Sequence, residues 1–411
     1  MEQWIKDDLE TMRSLAEEGL CDRCLGRMFG KKGTGMTNDL RGRMIRDALK
    51  ETGNSPEAQN PCPVCEGLFG LLDRFAVAAA DRIKEVESDN FLIGCRVEPA
   101  VIAKEKALWI KYGLENTEAI KTEFNREIGK LVYDIIGREV EFDSPQAVAC
   151  VDTRFASVEL DIAPIFIAGR YNKLSREIPQ TVWPCRACHG KGCPRCNGLG
   201  KMYATSVQEE IGNIALKMSD GKEDFFHGMG REDIDARMLG TGRPFILEIA
   251  DPKIRNIDLE ELQKRANMSE LAQFRDLKFV PRSYVKMYKS ADPDKTYLAK
   301  VRAEDNINKE RAIEVISSFK DVCLSQRTPQ RVEHRRADLI RDRTIRSAEV
   351  KNIDDDSFDI ILTTESGTYV KEFVSGDEGR TSPSLSGVLG VQCHVEALDV
   401  MDIDYQENTR D

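Results

Sequence analysis

The sequence predicts an α+β protein of several domains, on three observations. Its 411 residues suffice for two or three domains. Between residues 70 and 170 the apolar pattern runs helix, strand, helix, strand, strand, the order of a small α+β module. Beyond residue 206 strands and helices alternate, and several strands show a period of two. Hydrophobic residues make up 41% and charged residues 32%, as in a globular chain. No apolar run reaches the length of a membrane-spanning helix. The N-terminus, Met1 to Asp8, is acidic and amphipathic rather than a secretory leader. The expected location is the cytoplasm, with no membrane partner.

Taken in order, Trp4, Ile5, Leu9, Met12 and Leu15 predict a helix over 3–18, and a second covers 38–51. Each is followed by a Cys-x-x-Cys turn, Cys21/Cys24 and Cys62/Cys65. Twelve cysteines are present, eight of them in four such pairs. In a reducing compartment that pattern points to metal before disulfides. Four thiolates from the first two pairs suit a tetrahedral structural Zn²⁺; the competing reading is a set of free buried thiols. A helix is expected over 69–87, a strand at Phe91–Gly94, a long helix over 115–137, and strands at 147–151 and 157–162. Cys95 and Cys150 are expected to be core thiols. A strand from Pro164 then runs out into a basic loop, where Arg170, Tyr171, Lys173 and Arg176 suit a phosphate backbone with a stacked base. Cys185, Cys188, Cys193 and Cys196 form two knuckles four residues apart, a candidate second zinc site.

Ser206 and Glu209 make a capping box ahead of a helix bearing Val207, Ile211, Ile214, Ala215 and Met218. A charged, glycine-bearing loop spans 230–245, and Phe245–Ile249 follows as a buried strand. Strands are expected at Tyr284–Tyr288, Lys295–Val301 and Ser357–Thr364, with a helix over 308–319. A basic stretch over Arg331–Ile345 contains His334-Arg335-Arg336. Residues 367–381 hold a short helix and a glycine-rich turn. The closing strand, Val391–Val400, would set Val391, Cys393, Val395 and Ala397 on one face and His394, Glu396 and Leu398 on the other. Residues 404–411 are polar and expected to fray. The expected division is 1–69, a zinc-knuckle helical region; 70–180, an α+β module; 181–205, a cysteine linker; and 206–411, a region of alternating strands and helices.

The net charge of −11 argues against nucleic acid globally, but two stretches are locally basic. Residues 170–201 hold seven Lys/Arg and one acid, and residues 327–351 hold eight and four. Binding confined to these stretches would be strongly salt-dependent. No Ser/His or Cys/His pair stands at catalytic spacing, and no phosphate-binding or dinucleotide glycine loop is present. What remains is an aspartate-centred set: Asp233, Tyr297, Tyr369, Lys371 and Arg380. An ionised aspartate can act as a covalent nucleophile, and a tyrosine can stack on an extruded base. The residues alone leave Asp233 and Asp235 equal among Arg231, Arg237 and Arg243, and leave a solvated turn open as well.

Three segments resolve this by resemblance: Gly230-Arg231-Glu232-Asp233, then Lys295-x-Tyr297-x-Ala299, then Gly367-Thr368-Tyr369-Val370-Lys371-Glu372-Phe373-Val374 running on to Gly379-Arg380-Thr381. They resemble the successive motifs of the archaeal tRNA pseudouridine synthases that act on T-loop uridines 54 and 55. The first two cysteine pairs match that family's N-terminal zinc site. Residues 167–176 and Pro179-Gln180-Thr181 match its linker, and the 185–196 array resembles its archaeal branch. The resemblance implies a THUMP-containing RNA-binding region and a catalytic fold of mixed, mostly antiparallel sheet flanked by helices. It implies Asp233 as nucleophile, a substrate pocket of Tyr297, Tyr369, Lys371, Leu398 and Arg380, and RNA contacts from Arg170, Tyr171, Lys173, Arg176, Arg335 and Arg336. It implies the tRNA T arm as partner, a monomer, and no cofactor beyond structural zinc. Glu232 departs from it, since many synthases carry Thr there. A non-catalytic, zinc-dependent tRNA-binding module and a thiol redox protein are the alternatives.

Overall fold

Alternating apolar residues build the first sheet. In β1 (Asn90–Arg96), Phe91, Ile93 and Cys95 point inward, and in β3 (Ala147–Asp152) Ala147, Ala149 and Val151 do the same. The computed structural model describes residues 2–53, 56–334 and 336–405. It divides into two compact units, Met1–Ala163 with Asp251–Arg255, and Pro164–Ala250 with Asn256–Asp411.

In the first unit, β1 pairs in parallel with β2 (Glu139–Val140) and β3, and β3 pairs antiparallel with β4 (Ser157–Ile162). Helices Leu72–Lys84 and Ile120–Ile136 cover the sheet, with Phe75 and Phe124 packed edge to face at 5.9 Å. Cys95 is buried as expected, whereas Cys150 alternates with Ala149 and Val151 and lies half-buried on the opposite face. A helix over Pro99–Tyr112 has no counterpart in the sequence reading. Its apolar face is blurred, because Glu105 is buried and Ile110 is exposed. Glu105 is enclosed because it pairs with the buried Arg27 and accepts a 2.8 Å bond from the Ile120 N–H. The first cysteine turn leads directly into another unexpected helix, Asp22–Arg27, which crosses helix Asn38–Glu51. A Cβ at Gly26 would lie 1.8 Å from the Asn38 carbonyl oxygen, and one at Gly42 1.9 Å from that of Asp22, so the crossing is backbone on backbone.

The second unit holds a ten-stranded sheet. Its strands are β5 (Ile165–Lys173), β6 (Glu223–Gly228), β7 (Arg237–Ala250), β8 (Ala272–Phe279), β9 (Lys295–Ala303), β10 (Val322–Arg327), β11 (Ile340–Ile353), β12 (Ser357–Thr364), β13 (Thr381–Ser382) and β14 (Cys393–Ile403). The order is β13-β10-β11-β12-β9-β14-β7-β5-β8, with β6 paired to the second half of β7. Every pairing is antiparallel except β14 with β7, where Asp399 meets Arg237 and Val400 meets Met238. This short parallel seam joins two antiparallel halves, each with its own apolar core, and Tyr297 packs against both cores.

Four expectations change here. Tyr284–Tyr288 lies in a helix, Ser283–Ser290, with Tyr284 and Tyr288 one turn apart and their rings 6.3 Å from each other. Five apolar-rich residues fit either period, and helical packing decided the outcome. The stretch after Pro164 does not become a loop at Arg170; β5 continues to Lys173 inside the ten-stranded sheet and belongs to the second compact unit, not to the 70–180 module. The charged loop ends at Ala236, because β7 begins at Arg237 and carries Leu239–Gly242 as a bulge against β5. Gly240 is needed there: its φ is +52°, and a Cβ would lie 2.0 Å from the Met401 carbonyl oxygen. In β14 a register shift between Val395 and Ala397 reverses the faces, so Leu398 and Val400 turn inward with Cys393. Of the expected frayed end, residues 406–411 lie outside the described residues.

Candidate active site

The loop between β6 and β7 is held from beneath by a buried polar cluster. Glu232 is enclosed, and Arg243, enclosed with it, donates from Nε to its carboxylate at 2.8 Å and from Nη1 to the Met229 carbonyl at 2.7 Å. The Tyr171 hydroxyl lies 3.0 and 2.9 Å from the two Glu232 oxygens and donates to them. Burial, with the Glu232 charge beside it, pushes the Tyr171 phenol well above its ordinary pKa, so it stays a neutral donor. Gln180 Nε2 donates to the Tyr171 hydroxyl at 2.7 Å and to the Gly230 carbonyl at 3.0 Å. Lys173 Nζ reaches the carbonyls of Ile178, Asp233 and Ile234 at 3.1, 3.2 and 2.7 Å. The backbone of the loop is thus fixed on both sides of Asp233.

Above the cluster lies a cavity of about 210 Å³, wholly within the second unit. It brings together Asp233 from the loop, Lys295 and Tyr297 from β9, Leu398 and Val400 from β14, and Tyr369, Val370 and Lys371 from the turn into helix Val370–Ser375. Six cations line it, Arg231, Arg243, Lys295, Arg331, Arg336 and Lys371, against two acids, Glu232 and Asp233. Asp233 is half-exposed and accepts from Arg331 Nη1 at 2.9 Å; Lys371 Nζ stands 3.7 Å away. Arg331 is itself fixed by the buried Glu372, at 2.6 Å. Lys371 lies closer to Asp235, at 2.7 Å.

The loop's own arginines therefore do not hold Asp233. Arg243 pairs with Glu232, Arg237 pairs with Asp399 at 2.7 Å, and the Arg231 guanidinium lies 5.9 Å from the Trp183 ring centre. Tyr369 is set by Gln326, which accepts from its N–H at 2.9 Å and donates to its carbonyl at 3.1 Å. Arg336 Nη1 donates to the Tyr369 hydroxyl at 2.9 Å. Tyr297 is half-buried, and burial raises its phenol pKa. The set offers an accessible carboxylate, two flat rings and a cationic wall, which suits attack on an anionic ligand bearing a planar base.

Other expected residues lie elsewhere. Arg380 turns away from the cavity to the Thr328 carbonyl and Glu333, at 3.2 and 3.3 Å. Tyr171 and Lys173, expected to face RNA, are buried beneath the loop, because β5 continues through them. Arg176 bonds the carbonyls of Asp235 and Leu398, both at 2.8 Å, and Arg170 bonds those of Gly242 and Tyr405 at 3.0 and 2.7 Å. Arg335 lies outside the described residues. The sequence reading gave no role to Arg331, 98 positions from Asp233, whose one visible signal was the basic run over 327–351, or to Glu372, which stands in the third family segment.

Both cysteine sets converge. The sulfurs of Cys21, Cys24, Cys62 and Cys65 lie within 4.8 Å of one another, as do those of Cys185, Cys188, Cys193 and Cys196, so each set can hold a metal ion. Backbone N–H groups support them, Cys21 to Cys62 Sγ at 3.4 Å and Gly200 to Cys196 Sγ at 3.2 Å.

Comparison with known proteins follows this division. The family described as Pus10, C-terminal, matches residues 166–404, and the Pus10 THUMP domain, archaeal, matches residues 75–152. The chain is 38% identical over 415 residues to the tRNA pseudouridine synthase Pus10 of Methanothrix thermoacetophila, covering 93% of this chain and 91% of that one. It is 39% identical over 406 residues to that of Methanothermobacter marburgensis, covering 97% and 98%. A solved Cbf5-Nop10-Gar1 complex is similar at 17% identity with a TM-score of 0.30, covering 47% of this chain and 44% of that one, a likeness that carries no argument.

Burial beside Arg243 pulls Lys295 down to about 8, from an ordinary 10.5. Below that pH both folded and unfolded chains hold the proton and the burial cost is fully present. Between 8 and 10.5 the folded chain has lost it and the cost is relieved, so this group makes the fold more stable as pH rises. The thermal midpoint of Lys295→Met relative to wild type should therefore fall between pH 7 and pH 10 (values set by that window). A constant difference across that range would contradict this.

Proposed function

The chain belongs to the Pus10 family of tRNA pseudouridine synthases, and from that premise we propose that it isomerises T-loop uridines 54 and 55 with Asp233 as nucleophile. The observation that carries the assignment is a half-exposed carboxylate on a loop fixed from below, paired to Arg331 inside a cationic cavity with Tyr297 and Tyr369. In the reaction the N1–C1′ bond of uridine breaks and a C5–C1′ bond forms. The proton leaves C5 and one is taken up at N1, so mass is unchanged. Asp233 attacks the extruded nucleotide, Arg331 and Lys371 flank and hold its carboxylate, and the two tyrosines hold the base plane. Leu398 closes the apolar side of the cavity, and Arg336 orients Tyr369. The substrate is tRNA, and the domain matching the THUMP model is the further contact for it.

Both cysteine sets are proposed as structural Zn²⁺ sites. Sulfurs about 2.3 Å from a tetrahedral zinc lie about 3.8 Å apart. The Cys21–Cys65 separation is 3.7 Å, and Cys185–Cys193 and Cys188–Cys196 are 3.9 and 3.8 Å. Cys21, Cys24, Cys62 and Cys65 would hold one ion, and Cys185, Cys188, Cys193 and Cys196 the other. Neither lies in the wall of the cavity, so zinc supplies local folding rather than chemistry.

Two measurements test this. Carbodiimide mapping of unmodified tRNA should place new pseudouridine at 54 and 55 with wild type. Asp233→Asn should slow the reaction by about 10³-fold or more, and Asp235→Asn should retain most of it. Activity surviving in Asp233→Asn removes the nucleophile assignment. Elemental analysis should find two zinc ions per chain, falling to one when Cys188 and Cys193 are both replaced by serine; an unchanged content would refute the second site.

A further inference from the structure

We propose that the Cys185–Cys196 knuckle is a phosphate-binding finger that grips the tRNA strand beside the extruded uridine; this rests on the tRNA reading above and names a contact for it. The knuckle is rooted firmly. The Cys185 N–H donates to the Gly200 carbonyl at 2.7 Å, the Met202 N–H donates to the Trp183 carbonyl at 2.8 Å, and Pro184 bridges Lys201. Its two turns pack backbone against backbone. A Cβ at Gly192 would stand 2.7 Å from the Gly198 carbonyl oxygen, and one at Gly200 2.4 Å from that of Gly190. Both glycines have positive φ, so no other residue fits this packing easily.

On this scaffold Arg186, Lys191 and Arg195 are exposed, and among the described residues none of their side chains has an ion-pair or hydrogen-bond partner. The other cations of the same basic stretch are spent within the protein: Arg170, Lys173 and Arg176 on carbonyls near the site, Lys201 on Glu209. No acid occurs between Glu177 and Glu209. Three unpaired cations on a rigid loop without acids suit a polyanion, since their field is not cancelled locally and little backbone ordering is needed on binding. The link to the site is Trp183, at the foot of the knuckle, whose ring faces Arg231 of the cavity wall at 5.9 Å. Phosphates gripped by the knuckle would belong to nucleotides close to the one being modified. An acidic protein partner is the competing occupant.

The test is Arg186→Gln/Lys191→Gln/Arg195→Gln in the full, metal-loaded chain, with unmodified tRNA bound across a salt series. Each lost phosphate contact should lower the slope of log K against log salt by about 0.7–0.9, so the slope should fall by about two and affinity by tenfold or more near 0.1 M salt. The charge-keeping variant Arg186→Lys/Lys191→Arg/Arg195→Lys should bind as wild type does; its loss of binding would show that shape rather than charge matters and would overturn the proposal. An unchanged slope in the glutamine variant would also overturn it and leave the acidic partner as the occupant. Wild-type chain that fails to bind tRNA would instead sink the reading on which the proposal rests.

Discussion

The site depends on one buried ion pair, Glu232 with Arg243. Both groups are withdrawn from water, and each is hydrogen-bonded, Glu232 by Arg243 and Tyr171, Arg243 by Glu232 and the Met229 carbonyl. Such a pair adds little net stability over an apolar substitute, but removing one partner strands a charge at a cost of about 3–5 kcal/mol. Its value lies in geometry. Glu232 directly precedes Asp233, so its position fixes where Asp233 can be, and Lys173 clamps the carbonyl that follows. The carboxylate is presented with little freedom left to lose when a substrate arrives.

The same constraint explains the placement of the site in the sheet. The parallel pairing of β14 with β7 is short, and it brings two antiparallel halves together where their strands end. One half contributes Asp233 and its buried support. The other contributes Tyr297, Tyr369, Lys371 and Arg331. An acidic chain with a net charge of −11 still forms a cationic cavity, because its charges are unevenly placed and the cavity wall holds six cations and two acids. Global charge therefore says little about what this surface meets.

Much of this was legible in the sequence. The four cysteine pairs carry their own geometry, since a Cys-x-x-Cys turn converges its sulfurs whatever surrounds it. Asp233, Tyr297, Tyr369 and Lys371 lie in the family motifs, Leu398 was implied by the resemblance, and all five meet at one cavity. Contacts that depend on tertiary distance were not legible. Arg331 is 98 residues from Asp233, and nothing local distinguishes it from its basic neighbours. Tyr171 and Lys173 read as RNA-facing because polar residues signal exposure, and only the continuation of β5 shows that they serve buried acceptors instead. The bulges in β7 and β14 each shift register, and a period of two cannot reveal where it breaks. Glu232 looked like a departure in the motif, and it is the residue on which the loop is built.

The buried pair is proposed to set the position of Asp233. Single-turnover pseudouridylation at saturating tRNA by Glu232→Gln tests it most directly, run beside the tRNA affinity of the same folded variant. The rate should fall by about 10²-fold while affinity stays within about twofold, since none of the cavity's cations is replaced. A wild-type rate from a folded Glu232→Gln chain would contradict the account.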